Sequence, residues 1–456
     1  MNIEEIIKGQ RDFFNTGKTL PVAYRIEALK RLKQVIRDNE DEINKALLSD
    51  FGKSSSETFM CETGLTLSEI TYLLKKVRRF AKPKRVHTTL VHFHAASFEV
   101  NNPYGVVLIM SPWNYPFMLT MEPLVGAIAA GNCCVVKPSA YAPATSAVIK
   151  KIINECFDEE YVAVVEGGRE ENKMLLDQKF DYILFTGGSK VGKEVMRRAS
   201  EHMTPITLEL GGKSPCIVDD SAKIKTAAMR IAFGKLLNCG QTCVAPDYFL
   251  VDQKIEEELI SEIKKAITKM IGENPLDNDQ YVHMINQKHY DRVMGLINED
   301  KVVFGGKGNP DTLRIEPTIM RGVTVNDAVM QEEIFGPLLP IITYGEIDEA
   351  FEFVKNMPRP LACYLFSEKK ETQKRYLNEL AFGGGCINDT IIHLATSEMG
   401  FGGVGESGMG SYHGMKSLET FSHKKSIVNK YTWMDLPVRY APYSKTKDFL
   451  LNIFLG

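Results

Sequence analysis

Cys243 is the residue whose type and setting could most directly perform covalent chemistry. It lies in the string NCGQTCVAP at 238–246, which is rich in small residues and follows an amphipathic helical pattern. Such a string predicts a tight loop on the wall of a pocket. A thiol acts as a nucleophile when it has thiolate character and a nearby base or electropositive group, and a lone cysteine is more often a packing residue. The assignment of Cys243 therefore depends on partners elsewhere in the chain.

Two polar residues beside apolar runs are candidate partners. Glu209 interrupts an apolar strand and precedes two glycines in TLELGG at 207–212. It is either an edge-strand carboxylate in water or a buried carboxyl whose raised pKa suits a general base. Asn114 is braced by prolines in SPWNYP at 111–116, and its amide is a neutral donor suited to a developing oxyanion.

Metal chemistry is not indicated by the spacing of the cysteines and histidines. Cys239 and Cys243 are four residues apart, but no second cysteine or histidine pair lies near them, so we expect no metal site. His92 and His94 lie in the alternating segment 85–100 and would share one face of a strand. We interpret them as surface residues of that strand.

The elements that must position these residues follow an α/β pattern. Short apolar runs alternate with helical patterns, which predicts parallel sheets covered on both faces. Ligands bind such sheets at the carboxyl ends of the strands, where Asn114, Lys137 and Gly187 fall. A second α/β cycle begins after residue 212. The strands expected in the two cycles are Gly105–Met110, Cys133–Val136, Val162–Val165, Tyr182–Phe185, Cys216–Val218 and Tyr248–Val251.

Bulk composition narrows the class of partner. The 456 residues carry 55 Lys and Arg against 58 Asp and Glu, a net charge of −3, which favours a small molecule over nucleic acid. No apolar run is long enough to span a bilayer, and residues 1–25 lack a signal-peptide core. Nine cysteines, an odd number, indicate reduced thiols and a cytoplasmic location.

Taken together and in this order, the strings closely resemble the aldehyde dehydrogenase superfamily over nearly the whole chain. EEIFGP at 332–337 and FGGVGESGMG at 401–410, which carry little information alone, belong to this resemblance. SYHG at 411–414 and TFSH at 420–423 are similar to the class 3 branch, which includes the fatty aldehyde dehydrogenases. The resemblance implies two Rossmann-like parallel-sheet domains with a small β extension for oligomerisation.

The resemblance also implies a mechanism. Cys243 would attack the aldehyde carbonyl, and the Asn114 amide and the Cys243 backbone N–H would hold the oxyanion of the thiohemiacetal. Hydride transfer to the nicotinamide would give a thioester, which water activated by Glu209 would hydrolyse. A CoA-acylating dehydrogenase, a catalytically inactive binding or structural member of the fold and a thiol hydrolase stay as alternatives. The presence of Glu209 favours hydrolysis over transfer to CoA.

Cofactor contacts follow from the same resemblance, with NAD, NADP or both as the cofactor. Lys137 would contact the adenosine ribose and Glu333 the nicotinamide ribose. The string TGGS at 186–189 would place backbone N–H groups at a helix start, close to the pyrophosphate, although it is not a G-x-G-x-x-G fingerprint. The implied contact residues are Lys137, Glu333, Phe335, Trp113, Gly187, Gly188 and Ser189.

The implied organisation is a homodimer whose chain divides into several segments. Tyr115, Met118 and residues 391–393 are expected to line a substrate tunnel, and their bulk favours an apolar aldehyde. The apolar run at 449–455 is too short to span a membrane, and we expect it to dock on a partner surface. The expected limits are 1–84 and 101–208 for cofactor binding, 209–412 for catalysis, 85–100 and 413–440 for oligomerisation, and 441–456 for the tail.

Ala140 predicts appreciable use of NADP beside NAD. Many relatives carry a Glu three residues after the lysine, which bonds the ribose 2′-hydroxyl and repels a 2′-phosphate. Ala140 occupies that position here, so this negative charge is missing. Steady-state rates with each cofactor test the prediction. Catalytic efficiency with NADP about a thousandfold below that with NAD would contradict it.

Overall fold

Residues 2–455 are described by the structure, a computed structural model. Helices α1 to α17 span, in chain order, Ile3–Asn15, Val22–Asp38, Glu40–Phe51, Ser55–Thr58, Gly64–Phe80, Met118–Ala130, Pro143–Cys156, Arg169–Leu176, Ser189–Glu201, Ile224–Leu236, Glu256–Ile271, Gln287–Met294, Ala328–Gln331, Ile347–Lys355, Lys370–Glu379, Met415–Thr420 and Lys445–Leu455. Strands β1 to β18 span Lys84–Val86, Ala95–Pro103, Val106–Met110, Cys133–Lys137, Val162–Val164, Tyr182–Thr186, Ile206–Glu209, Pro215–Val218, Tyr248–Asp252, Val302–Phe304, Gly308–Asn309, Arg314–Ile315, Thr318–Met320, Leu338–Tyr344, Ala362–Phe366, Gly384–Ile387, Gly408–Met409 and Ser422–Lys430.

The first sheet has the strand order β17-β7-β6-β3-β4-β5, parallel except for β17 at its edge. Helices α1 and α6 both pack against β3 and β4. Continuous apolar strands are buried because helices cover the faces of the sheet. The four predicted strands of this sheet match the observed ones to within one residue at each end.

The second sheet has the order β10-β13-β14-β9-β8-β15-β16, parallel except for β10. Helices α10 and α11 pack against each other beside it. The two sheets confirm the α/β prediction of two Rossmann-like parallel units. The domain limits given above stay a prediction.

A small antiparallel sheet, β1-β2-β18, forms the β extension. Strand β2 pairs with β18 from Ala95 to Pro103. The prediction that His92 and His94 share one strand face was wrong, because His92 lies in a 3₁₀ turn and His94 precedes β2. The chain must reverse in this stretch so that β1 can pair antiparallel with β2.

The C-terminal segment forms a short helix, α17, in which Phe449 and Ile453 are exposed. Among residues 2–455, no helix combines the length and the apolar character needed to cross a bilayer. The partner surface expected for this segment stays a prediction.

The fold brings the candidate residues to one edge of the first sheet. Glu209 ends β7, Gly187 follows β6, Asn114 follows β3 and Lys137 ends β4. Since these four strands are parallel neighbours, the four residues follow one another along the carboxyl edge in the order 209, 187, 114 and 137. This edge is where ligands of parallel α/β sheets bind.

Candidate active site

The loop that carries Cys243 begins with an unusual backbone. After α10 ends at Leu236, Asn238, Cys239 and Gly240 take positive φ angles of 52°, 55° and 72°. Such angles are unfavourable for residues other than glycine, so the surrounding contacts must hold them. A Cβ on Gly240 would stand 2.3 Å from the carbonyl oxygen of Gly336, so glycine is required there. The reversal directs the chain back to Cys243 at the cavity wall.

Hydrogen bonds tie this loop to the segment after β3. The Asn114 amide donates to the carbonyl oxygen of Gln241 at 3.0 Å. The Asn238 amide donates to the carbonyl oxygens of Asn114, at 2.8 Å, and of Gln241, at 3.0 Å. An Asn amide has two N–H groups. One N–H of buried Asn114 holds the loop, and the second is left for a ligand in the cavity.

A first cavity, of about 300 Å³, opens beside Cys243 at this edge. Gly187, Gly188 and Glu209 reach it from the first sheet, and Glu333 and Phe335 reach it from the segment before β14. Its lining residues are Pro112, Trp113, Asn114, Leu119, Thr186, Gly187, Gly188, Glu209, Leu210, Gly211, Cys243, His289, Arg292, Glu332, Glu333 and Phe335.

Two of the predicted cofactor residues lie outside this lining. Ser189, the first residue of α9, lines an adjoining groove of about 820 Å³ that also includes Glu333. Lys137 lines neither space. Its Nζ donates to the carbonyl oxygens of Pro138, at 2.9 Å, and Gly167, at 2.7 Å, which fixes the side chain at the end of β4.

The cavity holds two desolvated carboxyl groups. Burial raises the pKa of Glu209 well above its ordinary value, and neither of its oxygens has a hydrogen-bond partner among residues 2–455. Burial also raises the pKa of Glu333 to about 8, and the neighbouring Asp247 carboxylate adds to the rise. Both groups are therefore stronger bases than carboxylates in water.

The same environment acts on the half-buried thiol. Burial raises the pKa of Cys243 to about 12, and the carboxylates of Glu333 and Glu209 add to the rise. The thiol is therefore protonated near neutral pH. To act as a nucleophile it must lose its proton to a base during attack. Glu209 and Glu333 are the bases that this cavity offers.

The sequence analysis did not identify two residues that line this cavity, His289 and Arg292. His289 packs on Trp113 with ring centroids 5.0 Å apart, and burial lowers its pKa to about 4, so it is neutral. Arg292 donates to the carbonyl oxygens of Glu333, at 3.1 Å, and Ile334, at 2.6 Å. Both lie on α12, where no motif distinguishes them from the charged face of a surface helix.

A second cavity, of about 160 Å³, also borders the thiol. Cys243 and Leu119 line both cavities. Of the residues expected to line a tunnel, Tyr115, Met118 and the pair at 391–392 line this cavity, whereas His393 does not. The lining residues, nearly all apolar, are Met60, Cys61, Leu65, Tyr115, Met118, Leu119, Phe233, Leu237, Thr242, Cys243, Ile391, Ile392, Leu394, Ala395, Phe401, Tyr412 and His413.

The first cavity and the adjoining groove together fit a dinucleotide. Oε1 of Glu333 is a buried acceptor with no hydrogen-bond partner among the described residues, as a ribose hydroxyl would require. At Gly188, which precedes α9, no atom other than those of the glycine and its two chain neighbours lies within 4 Å of where a Cβ would stand, so a phosphate has room near the helix N-terminus.

Comparison with known proteins agrees with these features. A family profile described as "Aldehyde dehydrogenase family" matches residues 1–427. The chain is 47% identical to 4,4'-diaponeurosporen-aldehyde dehydrogenase of Staphylococcus aureus, over 99% of each chain. It is 42% identical to "Aldehyde dehydrogenase, dimeric NADP-preferring" of Canis lupus familiaris, over 96% of this chain and 98% of that one. A solved structure, the substrate-bound state of Staphylococcus aureus AldH, matches with a TM-score of 0.97 and 46% identity over the whole of both chains.

The electrostatic account of the thiol predicts an effect of Glu333→Gln. Removing a negative charge that opposes the thiolate lowers the pKa of Cys243, so the thiolate fraction at a fixed pH rises. At pH ~9, where Glu333 is ionised in the parent protein, alkylation of Cys243 by iodoacetamide should become roughly threefold faster. Glu332→Gln, which alters a more exposed neighbouring carboxylate, should leave the rate unchanged. Equal or slower alkylation of Glu333→Gln would contradict the account.

Proposed function

The chain belongs to the aldehyde dehydrogenase family, and from that premise we propose that it oxidises an aldehyde through a thioester on Cys243. The observation that carries this proposal is the position of Cys243 in the wall shared by two cavities. One cavity carries charged side chains, among them Glu209 and Glu333, and together with the adjoining groove suits a dinucleotide, whereas the other is nearly all apolar and suits the organic part of a substrate. An atom bonded to the sulphur can be reached from both.

In the first step, sulphur adds to the aldehyde carbonyl carbon. The S–C bond forms, the carbonyl π electrons move to oxygen, and the thiol proton leaves to a carboxylate of the first cavity. The second N–H of the Asn114 amide and the backbone N–H of Cys243 stabilise the oxyanion of the thiohemiacetal. The bound dinucleotide supplies the hydride acceptor that makes this oxidation possible.

In the second step, Glu209 removes a proton from water, which attacks the thioester carbonyl. The same two donors hold the new oxyanion, and the S–C bond then breaks to release the carboxylic acid and regenerate the sulphur nucleophile. Glu209 suits this role because its desolvated carboxylate is a strong base and both oxygens are available.

We propose that NAD, NADP or both bind in the first cavity and the adjoining groove. Glu333 would hold the nicotinamide ribose, Lys137 the adenosine ribose, and Phe335 and Trp113 the edges of the nicotinamide site. Gly187, Gly188 and Ser189 would receive the pyrophosphate. The exposed Ala140 leaves no charge to repel a 2′-phosphate, and the canine relative is named NADP-preferring.

The substrate that this site favours is an apolar aldehyde. The residues of the second cavity that carry a hydroxyl or imidazole group are Tyr115, Thr242, Tyr412 and His413, and the other lining residues are apolar. The relative from Staphylococcus aureus is named for 4,4'-diaponeurosporen-aldehyde, which supports an apolar aldehyde as the substrate class.

We further propose a cytoplasmic homodimer with the domain limits expected from the sequence. All nine cysteines are free thiols, as the nucleophile requires and as a reducing compartment maintains. The canine relative is named dimeric.

The proposal predicts different losses for its two central residues. Cys243→Ser should abolish aldehyde oxidation. Glu209→Gln should lower the steady-state rate about a hundredfold or more, because the general base is lost, but should retain a rapid burst of reduced cofactor. Stopped-flow absorbance at the reduced nicotinamide band measures both phases.

Glu332→Gln, in the same cavity, is the matched control and should retain nearly full turnover. Full activity of Cys243→Ser would refute the thioester route. If free CoA raises the rate of the parent enzyme and acyl-CoA accumulates, the enzyme acylates CoA and the hydrolytic step is wrong.

A further inference from the structure

Lys53 and Glu62 form a fully buried ion pair next to the segment that carries Asn114. Lys53 Nζ stands 2.6 Å from Glu62 Oε1, and neither side chain has any exposed surface. The ammonium also lies 4.3 Å from the centre of the Tyr115 ring and 4.9 Å from that of Phe51. Neither charged residue lines the two cavities, so neither can touch a substrate there.

The pair bonds directly to the backbone around Asn114. Lys53 Nζ donates to the carbonyl oxygen of Asn114 at 3.1 Å. Glu62 Oε2 accepts from the backbone N–H groups of Phe117, at 3.1 Å, and Met118, at 2.9 Å, where α6 begins. The two charges therefore fix the middle and the C-terminal end of the irregular segment, 111–117, that carries the Asn114 amide.

The same stretch of chain also holds the nucleophile loop. Glu57 Oε1 accepts from the backbone N–H of Asn238 at 2.8 Å. Glu62 itself lies in a π-helical turn, Phe59–Thr63, between α4 and α5. A π turn adds a residue to the helix and often occurs at functional sites. This turn places Glu62 where it reaches Lys53 and the start of α6 together.

We infer that Lys53 and Glu62 are positioning residues that hold the Asn114 amide against the oxyanion formed on Cys243. Stability alone does not account for the pair, because removing two charges from water costs about as much as their attraction returns. Apolar residues of similar size would serve a packing role equally well. This inference rests on the oxyanion role proposed above for Asn114.

The test replaces both charges, Lys53→Met with Glu62→Met, so that no unpaired charge stays buried. Hydrolysis of p-nitrophenyl acetate without cofactor is the first measurement, because it forms an oxyanion on Cys243 but involves no hydride transfer. We expect its rate, and kcat for aldehyde oxidation, to fall about tenfold or more, since displaced donors lose most of their effect. The KM for cofactor and its fluorescence-measured Kd should change less than about twofold.

A double-mutant cycle with Asn114→Ala separates positioning from general damage. In the Asn114→Ala background the paired substitution should cause little further loss of ester hydrolysis, because the donor it positions is gone. An equal loss in both backgrounds would overturn the inference. A paired variant that folds and hydrolyses the ester as fast as the parent protein would also overturn the inference.

A control pair and a substitute variant complete the design. Arg321→Met with Glu256→Met removes an ion pair, 2.6 Å apart, away from both cavities, and should leave the ester rate unchanged. If the paired variant does not fold, Lys53→Gln with Glu62→Gln removes both charges but keeps polar side chains, so that no unpaired charge stays buried. This variant should hydrolyse the ester at least about threefold more slowly than the parent protein, and a rate equal to that of the parent would overturn the inference. If Asn114→Ala itself hydrolyses the ester as fast as the parent protein, this result would instead contradict the proposed function.

Discussion

Hydrogen bonds between Asn114 and the loop at 238–241 join the carboxyl edge of the first sheet to the amino edge of the second, where β9 begins. The loop needs them, because the left-handed backbone at Asn238 and Cys239 costs on the order of 1 kcal/mol or more per residue. The hydrogen bonds offset that cost, and they fix the position of Cys243 relative to Glu209, which ends β7 of the first sheet. Without them, the thiol would have no defined distance to the donor and the base that its chemistry requires.

The position of the thiol between the sheets separates two environments. The carboxyl groups of Glu209 and Glu333 lie on one side, where desolvation strengthens them as bases. The apolar side, near Tyr115, can bury an organic chain and keep water away from it. A carbonyl carbon bonded to sulphur would therefore meet base and cofactor on one side and hydrophobic packing on the other. Site geometry and substrate class follow from the same arrangement.

The sequence predicts those features that have local signals. Apolar runs predicted the central strands, and the ends of these runs predicted that Asn114, Lys137 and Gly187 would lie at the carboxyl edge of a sheet, whereas Glu209 was assigned to the site through the family resemblance. Lys53 and Glu62 could not be found in this way, because Lys and Glu in a helical segment usually mark a solvated face, and the partners of Lys53 lie up to 61 residues away in the chain. His289 was missed for the same reason. His92 was misplaced because alternation of polar residues does not reveal a turn that strand pairing requires.

The central claim, a thioester on Cys243, is tested most directly by intact-mass and peptide mass spectrometry. Glu209→Gln is mixed with an apolar aldehyde and oxidised cofactor and quenched in acid within the burst. The account predicts one acyl group per chain, on the peptide that contains Cys243 and absent when Cys243 is also replaced by Ser. An acyl group on another cysteine such as Cys239 or Cys386, or continued acid production with no acyl group on any cysteine, would contradict it.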